Sequence, residues 1–250
     1  MGGTLSGKSA LVIGAGGLGG PVLLALAASG VGRLVLLDDD AVETSNLNRQ
    51  PLFGEADLGR RKADAAAARL RRLHPGIRVE AHDRRFDAVN GAEIAVSVDV
   101  IVDGSDNFAT KFLASDVAVG ARKPLVHGGV LRYTAQLLTV VPGQSGCLRC
   151  LFEEPPAPGT VPTCAEAGII GPLAGLAGSL MGAEALRLLA GERGAYMGRL
   201  VVYEARSART RLVPVRKRIG CPACEGRLGS AGPARDPVTE VESSRTRGTA

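Results

Sequence analysis

The residues whose types and spacing could do chemistry fall into three groups: a glycine-rich turn, two cysteine pairs and a scatter of charged side chains near strand ends. The turn, Gly14-Ala15-Gly16-Gly17-Leu18-Gly19, follows the apolar run Leu11-Val12-Ile13. In a strand-turn-helix setting Gly14 permits the tight turn, and Gly16 with Gly17 lets the backbone approach a phosphate. Gly19 lets the helix pack on the strand with its N-terminus aimed at the anion. A nucleotide is the expected ligand. Asp38, which ends the next apolar strand in Asp38-Asp39-Asp40, is placed to accept hydrogen bonds from ribose hydroxyls. Asp40 is counted with it on the nucleotide face. This much fits ATP and NAD equally.

Cys147/Cys150 and Cys221/Cys224 each have C-x-x-C spacing. Four thiolates from two such pairs suit a tetrahedral zinc ion, and because they close the shell with no position for water, the expected role is structural. Reduced, unliganded cysteine or a redox C-x-x-C is the alternative. The fifth cysteine, Cys164, stands alone in Pro162-Thr163-Cys164-Ala165-Glu166-Ala167-Gly168. It is a candidate thiolate nucleophile, although a lone cysteine is more often a small buried hydrophobe.

Arg49, in Ser45-Asn46-Leu47-Asn48-Arg49-Gln50, follows the second strand and is expected to fork onto a phosphate. Lys62 opens a helical pattern after Gly59-Arg60-Arg61 and is a second phosphate candidate, its alternative being a solvated first-turn charge. Asp106, in Asp103-Gly104-Ser105-Asp106-Asn107, could hold magnesium through a carboxylate oxygen or cap the helix that follows. Among the three histidines, His74 is expected to end a helix and His127 to be a packing residue.

These groups need a scaffold that brings strand ends together. Apolar runs at Ala10–Ile13, Leu34–Leu37, Ile77–Ala81, Val98–Val102 and Leu125–Val126 alternate with helical patterns at Leu18–Ala28, Lys62–Leu73 and Asn107–Ala121. That alternation predicts a Rossmann-like, doubly wound α/β sheet, parallel in its first half. Ala135–Val141, Leu200–Tyr203 and Thr210–Val215 lack crossover helices and are expected to add antiparallel strands. Gly168–Ala190 is apolar but interrupted by glycines and carries Glu184 and Arg187, so a buried helix is expected rather than a membrane span. Glu153–Pro162 is a Pro-rich surface loop by composition. One domain over 1–228 is expected, followed by a disordered polar tail, 229–250.

The 250 residues are 45% hydrophobic, enough for one large core. A net charge of +5 is spread along the chain and aromatic content is 3%, which argues against nucleic acid, since stacking platforms and a concentrated basic face are both missing. Nothing at the start reads as a signal peptide, and a cytoplasmic protein is expected.

Taken together, the glycine turn, Leu36-Leu37-Asp38, the Ser45 to Gln50 run, Lys62, Ser105-Asp106-Asn107 and both C-x-x-C pairs resemble the ThiF/MoeB/HesA adenylyltransferases, which are similar to ubiquitin-activating enzymes. The match runs in order from about Leu5 to Gly226. The resemblance implies a homodimer that uses Mg-ATP to adenylate the C-terminal glycine carboxylate of a small ubiquitin-like sulfur carrier ending in Gly-Gly. Pyrophosphate leaves and the acyl-adenylate is open to sulfur attack. By position it assigns Asp38 to the ribose, Asn46, Arg49 and Lys62 to the polyphosphate, and Asp106 to the magnesium. A carboxylate is already ionised at neutral pH, so positioning and cation clamping, not a general base, are expected to carry catalysis. Cys164 sits where many relatives have a cysteine that can link covalently to the carrier, and is assigned to sulfur handling. Two departures stand out. Relatives usually begin with a helix whose arginine reaches the neighbouring subunit's ATP, whereas Met1 to Lys8 hold no Arg. No rhodanese-like domain follows Cys224, so a separate sulfur donor is expected. The competing readings are an NAD-dependent oxidoreductase, which leaves Arg49, Lys62 and Asp106 without a joint role, and a weakly catalytic scaffold that docks a ubiquitin-like protein.

Overall fold

A computed structural model describes residues 5–157, 159–161 and 167–226. Cys164 and the expected tail lie outside the described residues. The chain builds β1 (Ser9–Ile13), α1 (Gly19–Ala28), β2 (Arg33–Leu37), α2 (Lys62–Leu73), β3 (Arg78–His82), α3 (Ala88–Val96), β4 (Val100–Asp103), α4 (Phe108–Gly120), β5 (Leu125–Leu131), β6 (Thr134–Val140), a short α5 (Leu148–Leu151), α6 (Gly171–Leu189), β7 (Arg199–Glu204) and β8 (Arg209–Pro214). One eight-stranded sheet has the order β3-β2-β1-β4-β5-β6-β7-β8. The strands from β3 to β5 pair in parallel, and β6, β7 and β8 are added antiparallel. The doubly wound sheet with antiparallel additions is therefore present. Its strand order reverses between β1 and β4, where a ligand crevice opens at the carboxyl ends of the strands.

Alternation along the strands separates two cores. Val12, Leu34 and Val126 face one layer, with Val22, Leu26, Leu70 and Met181 from α1, α2 and α6. Leu11, Val35 and Leu125 face the other, with Ile94 and Phe112 from α3 and α4 and with Cys147 and Cys221. The glycines that interrupt the α6 run have a packing cause. A Cβ on Gly178 would stand 2.4 Å from the Leu18 carbonyl oxygen of the neighbouring helix. Among the described residues no helix is long and apolar enough to cross a membrane.

Two elements differ from expectation. The helix α3 carries little apolar periodicity, but Asp87 accepts hydrogen bonds from the N–H groups of Val89 and Asn90, which satisfies the first turn. Strand β5 continues beyond Val126 through His127-Gly128-Gly129 to Leu131, because its partner β6 pairs with it over the full length.

Candidate functional site

A cavity of about 940 Å³ lies over the carboxyl ends of β1, β2, β4 and β5. Gly14 has φ of 85° and touches Gly104 of the β4 side so closely that a Cβ would be 3.1 Å from the Gly104 carbonyl oxygen. A Cβ on Gly19 would fall 1.7 Å from the Gly14 carbonyl oxygen, so Gly19 braces the turn from behind and does not line the cavity. Gly14, Gly16 and Gly17 do line it. Asp38, nearly buried, ties this turn to β2: its carboxylate accepts from Ala15 N–H at 2.7 Å and Asp40 N–H at 3.0 Å. Burial holds its carboxyl above the ordinary value, and the two hydrogen bonds only partly offset that.

Arg49 and Lys62 both reach the cavity. Arg49 donates to the Ser45 carbonyl at 2.8 Å and to Asn48 Oδ1 at 3.2 Å, and pairs with no carboxylate among the described residues. Lys62 is not a solvated charge: it is 5% exposed, and its ammonium donates to Asp40 Oδ2 at 2.8 Å. The first turn of α2 holds it there, since Lys62 N–H also donates to the Asp40 carbonyl. Asn46 is buried, donates to Ser45 Oγ at 3.1 Å and does not line the cavity; its carbonyl accepts from the N–H groups of Arg49 and Gln50, which do. Asp106 is exposed on the wall and is not the helix cap; Asn107 is, accepting from Thr110 N–H at 2.9 Å.

The largest correction concerns His127. It is not a packing residue alone but part of a buried charged cluster with Asp103 and Lys111. Asp103, paired in register with His127 across β4 and β5, has no exposed surface. Its Oδ2 lies 2.7 Å from His127 Nδ1 and 3.5 Å from Lys111 Nζ, and its Oδ1 accepts from the Ser105 hydroxyl at 2.6 Å. Lys111 also donates to the Ser105 and Gly128 carbonyls at 2.6 and 2.7 Å. Burial alone would push the Asp103 carboxyl up, yet Lys111, His127 and Ser105 together hold it well below the usual carboxylate range. Burial and the Lys111 charge push His127 down, against the pull of Asp103. Lys111 shares the buried side of α4 with Ala114, Ser115 and Ala118, whereas the helix's first apolar residue, Phe108, is exposed, so the local pattern does not mark this lysine as buried. Gln50 was missed as well: it is buried, lines the cavity, and its Oε1 has no hydrogen-bond partner among the described residues.

The four cysteines meet beneath α4. Their Sγ atoms are 3.8 Å (Cys147 to Cys150), 3.7 Å (Cys147 to Cys221), 3.6 Å (Cys150 to Cys224) and 3.5 Å (Cys147 to Cys224) apart. Thiolates about 2.3 Å from a tetrahedral zinc are about 3.8 Å from one another, so the quartet has the size of a zinc shell. Between the first pair, Arg149 clamps Asp116 of α4 through two nitrogens at 2.9 Å each and lies over the Phe112 ring. Leu148 N–H donates to Ser115 Oγ, and the Leu148 side lines the cavity.

The model of the ThiF family matches residues 3–223. The chain belongs to the ThiF family. A SAMP-activating enzyme E1 of Haloferax volcanii is 45% identical over 229 residues, covering 91% of this chain and 84% of that one. The sulfur carrier protein adenylyltransferase of Thermus thermophilus is 46% identical over 221 residues, 86% of this chain and 82% of its own. Among solved structures, E. coli MccB with ATP superposes with a TM-score of 0.79 at 21% identity, covering 89% of this chain and 68% of that chain, a likeness of fold. In this ThiF-family chain Gly14, Gly16, Gly17, Asp38, Asp40, Arg49, Lys62 and Asp106 thus border one cavity, while Gly19, packed on Gly14, and Asn46, bonded to the Arg49 and Gln50 backbone, do not line it.

Proposed function

We propose that the protein adenylates the C-terminal glycine carboxylate of a small ubiquitin-like sulfur carrier, with ATP as co-substrate and pyrophosphate as product. The observation that carries this reading is that the cavity has two connected parts with different chemistry. One is the glycine turn with Asp38, Arg49 and Lys62. The other lies over one face of β5 and β6, with Gly129, Leu131, Thr134 and Gln136 as floor and Phe108, Phe152 and Val161 along its sides. A nucleotide suits the first part and an extended peptide end the second. The names of the Haloferax and Thermus relatives support the same reading.

The first part fits ATP on its own features: a glycine cradle, the cations Arg49 and Lys62, and a Gln50 acceptor without a partner among the described residues. Arg49 and Lys62 would hold the polyphosphate in line with the attacking carboxylate and offset the charge that builds on the leaving pyrophosphate. Asp38 would take the ribose hydroxyls and Asp40 would release Lys62 as the phosphates arrive. Asp106, without a hydrogen-bond partner among the described residues, would hold magnesium, which supplies charge neutralisation at the phosphates. The cysteine quartet would bind zinc as a structural ion. The protein would act in the cytoplasm as a homodimer over a domain spanning 1–228, with Cys164 and a sulfur donor serving the transfer step that follows.

The test is ATP–pyrophosphate exchange by zinc-loaded protein with and without carriers ending in Gly-Gly, beside Asp106→Ala. Carrier-dependent exchange that is lost in the variant is the expected result. Binding of NAD without binding of ATP would replace this reading with the oxidoreductase one, and ATP binding without exchange would leave a docking scaffold.

A further inference from the structure

A glycine end is hard to recognise, because it offers a binding site only backbone N–H and C=O groups. A site that holds it needs at least one fixed acceptor for an N–H, placed where the last residues must pass. The His127 ring meets that requirement. Its Nδ1 faces Asp103, whose carboxylate can only accept, so Nδ1 carries the hydrogen and Nε2 is left with a lone pair. The residue is 8% exposed and lines the cavity, yet Nε2 has no partner among the described residues.

Its place in the sheet gives the direction of approach. His127, Gly129 and Leu131 alternate onto the same face of β5, opposite Leu138, Gln136 and Thr134 of β6. A Cβ at Gly129 would meet nothing within 4 Å, so the middle of this floor is open. From Leu131 to His127 the floor is about 13 Å long, room for roughly four residues of extended chain. At its inner end the next residues are Asp103, Ser105 and Asp106, where the nucleotide part of the cavity begins.

We propose that His127 Nε2 accepts a hydrogen bond from a backbone N–H of the last two glycines of the carrier, and so fixes the position from which the terminal carboxylate meets the nucleotide. This rests on the adenylation reading. His127 is then a positioning residue that selects an unbranched peptide end, and it takes no part in proton transfer. Burial and the neighbouring Lys111 charge keep the ring neutral, and the Asp103 contact orients it for that acceptance.

The experiment measures exchange with a semisynthetic ubiquitin-fold carrier ending in Gly-Gly, and with two versions in which the last or the penultimate glycine is N-methylglycine. In the wild type one of the two methylated carriers should raise KM for carrier about tenfold, the size of one net hydrogen bond, and the other should not. His127→Asn, which keeps an N–H toward Asp103 but withdraws the distal acceptor, should raise KM for the normal carrier by a similar factor with KM for ATP unchanged. That variant should then be indifferent to the sensitive methyl group, and His127→Gln, which restores reach and an acceptor, should recover part of the loss. Equal penalties from both methylated carriers, multiplying losses in His127→Asn, or a change in KM for ATP instead of carrier would each overturn the proposal. If His127→Asn does not fold, the two methylated carriers on the wild type still decide it. Absence of any carrier-dependent exchange in the wild type would bring down the adenylation reading itself, an outcome separate from all of these.

Discussion

Two charged clusters border the same cavity, and they are built differently. On the β4 side Asp103, Lys111 and His127 are all buried and spend their polar atoms mostly on one another and on backbone carbonyls. On the β2 side the Lys62 side chain is 6% exposed but its partner Asp40 is 66% exposed. A buried ion cannot leave its partner without stranding a second buried ion, so the first cluster is fixed. Asp40 can be hydrated as soon as Lys62 turns away, so on the proposed adenylation reading the second would exchange a carboxylate for an incoming phosphate at little cost. The difference shows how one cavity can have a rigid wall and an adaptable one, using the same residue types.

The most drastic way to break this contrast is to remove the support under one cluster only. Arg149 clamps Asp116 of α4, so stripping metal from the cysteine quartet should loosen α4 and Lys111 and leave α2 and Lys62 protected. We expect a melting temperature lower by roughly 10 °C or more, with hydrogen exchange rising in α4 first. An unchanged melting curve for metal-free protein would end the zinc assignment. Next in size is Asp103→Asn, which leaves the Lys111 ammonium buried without a counter-charge. It should cost about 3–5 kcal/mol in urea unfolding. Lys62→Met should do the reverse, losing about 10²- to 10³-fold in kcat for exchange while unfolding near the wild-type midpoint. If Lys62→Met proves as destabilising as Asp103→Asn, the contrast between the walls is wrong.

The smallest effect is also the most diagnostic, because the two aspartates are shifted in opposite directions. Asp103 is held low, so its contribution to stability is present above the unfolded value near about 3.9 and is lost as the pH falls through its lower folded value. Asp38 is held high by burial, so its contribution is full below the unfolded value and is lost as the pH rises through the folded one. In urea titrations between about pH 6 and pH 3, the stability gap between wild type and Asp103→Asn should narrow as pH falls. The gap between wild type and Asp38→Asn should move the other way, in favour of the wild type. Parallel trends in the two pairs would contradict the assignment.

What was legible in the sequence was what is local. The glycine turn, the two C-x-x-C pairs and the start of α2 at Lys62 each announce themselves within a few residues. Asp103, Lys111 and His127 do not, since they come from a strand end, a helix and the next strand, and each alone is compatible with packing. Only the register of β4 against β5 joins them. Asp106 was open between cap and ligand because Asn107 beside it is an equally good cap, and the backbone chose Asn107. Strand β5 looked short because Gly128-Gly129 resembles a break. In the fold Gly128 is needed by Met181 of α6, whose sulfur would be 2.2 Å from a Cβ there.

The cysteine quartet also sets a timetable for synthesis. Cys147 and Cys221 are 74 residues apart, and Leu148, between the first two cysteines, forms part of the cavity wall. A chain emerging from the ribosome can pair β1 to β5 and shape the glycine turn early, because those elements come first. The wall at Leu148 must wait until α6 and the β7–β8 hairpin have been made and Cys221 and Cys224 arrive with them. For that interval the nascent chain holds the glycine-turn half beside an unfinished groove, and on the proposed zinc reading metal capture would be the event that closes it.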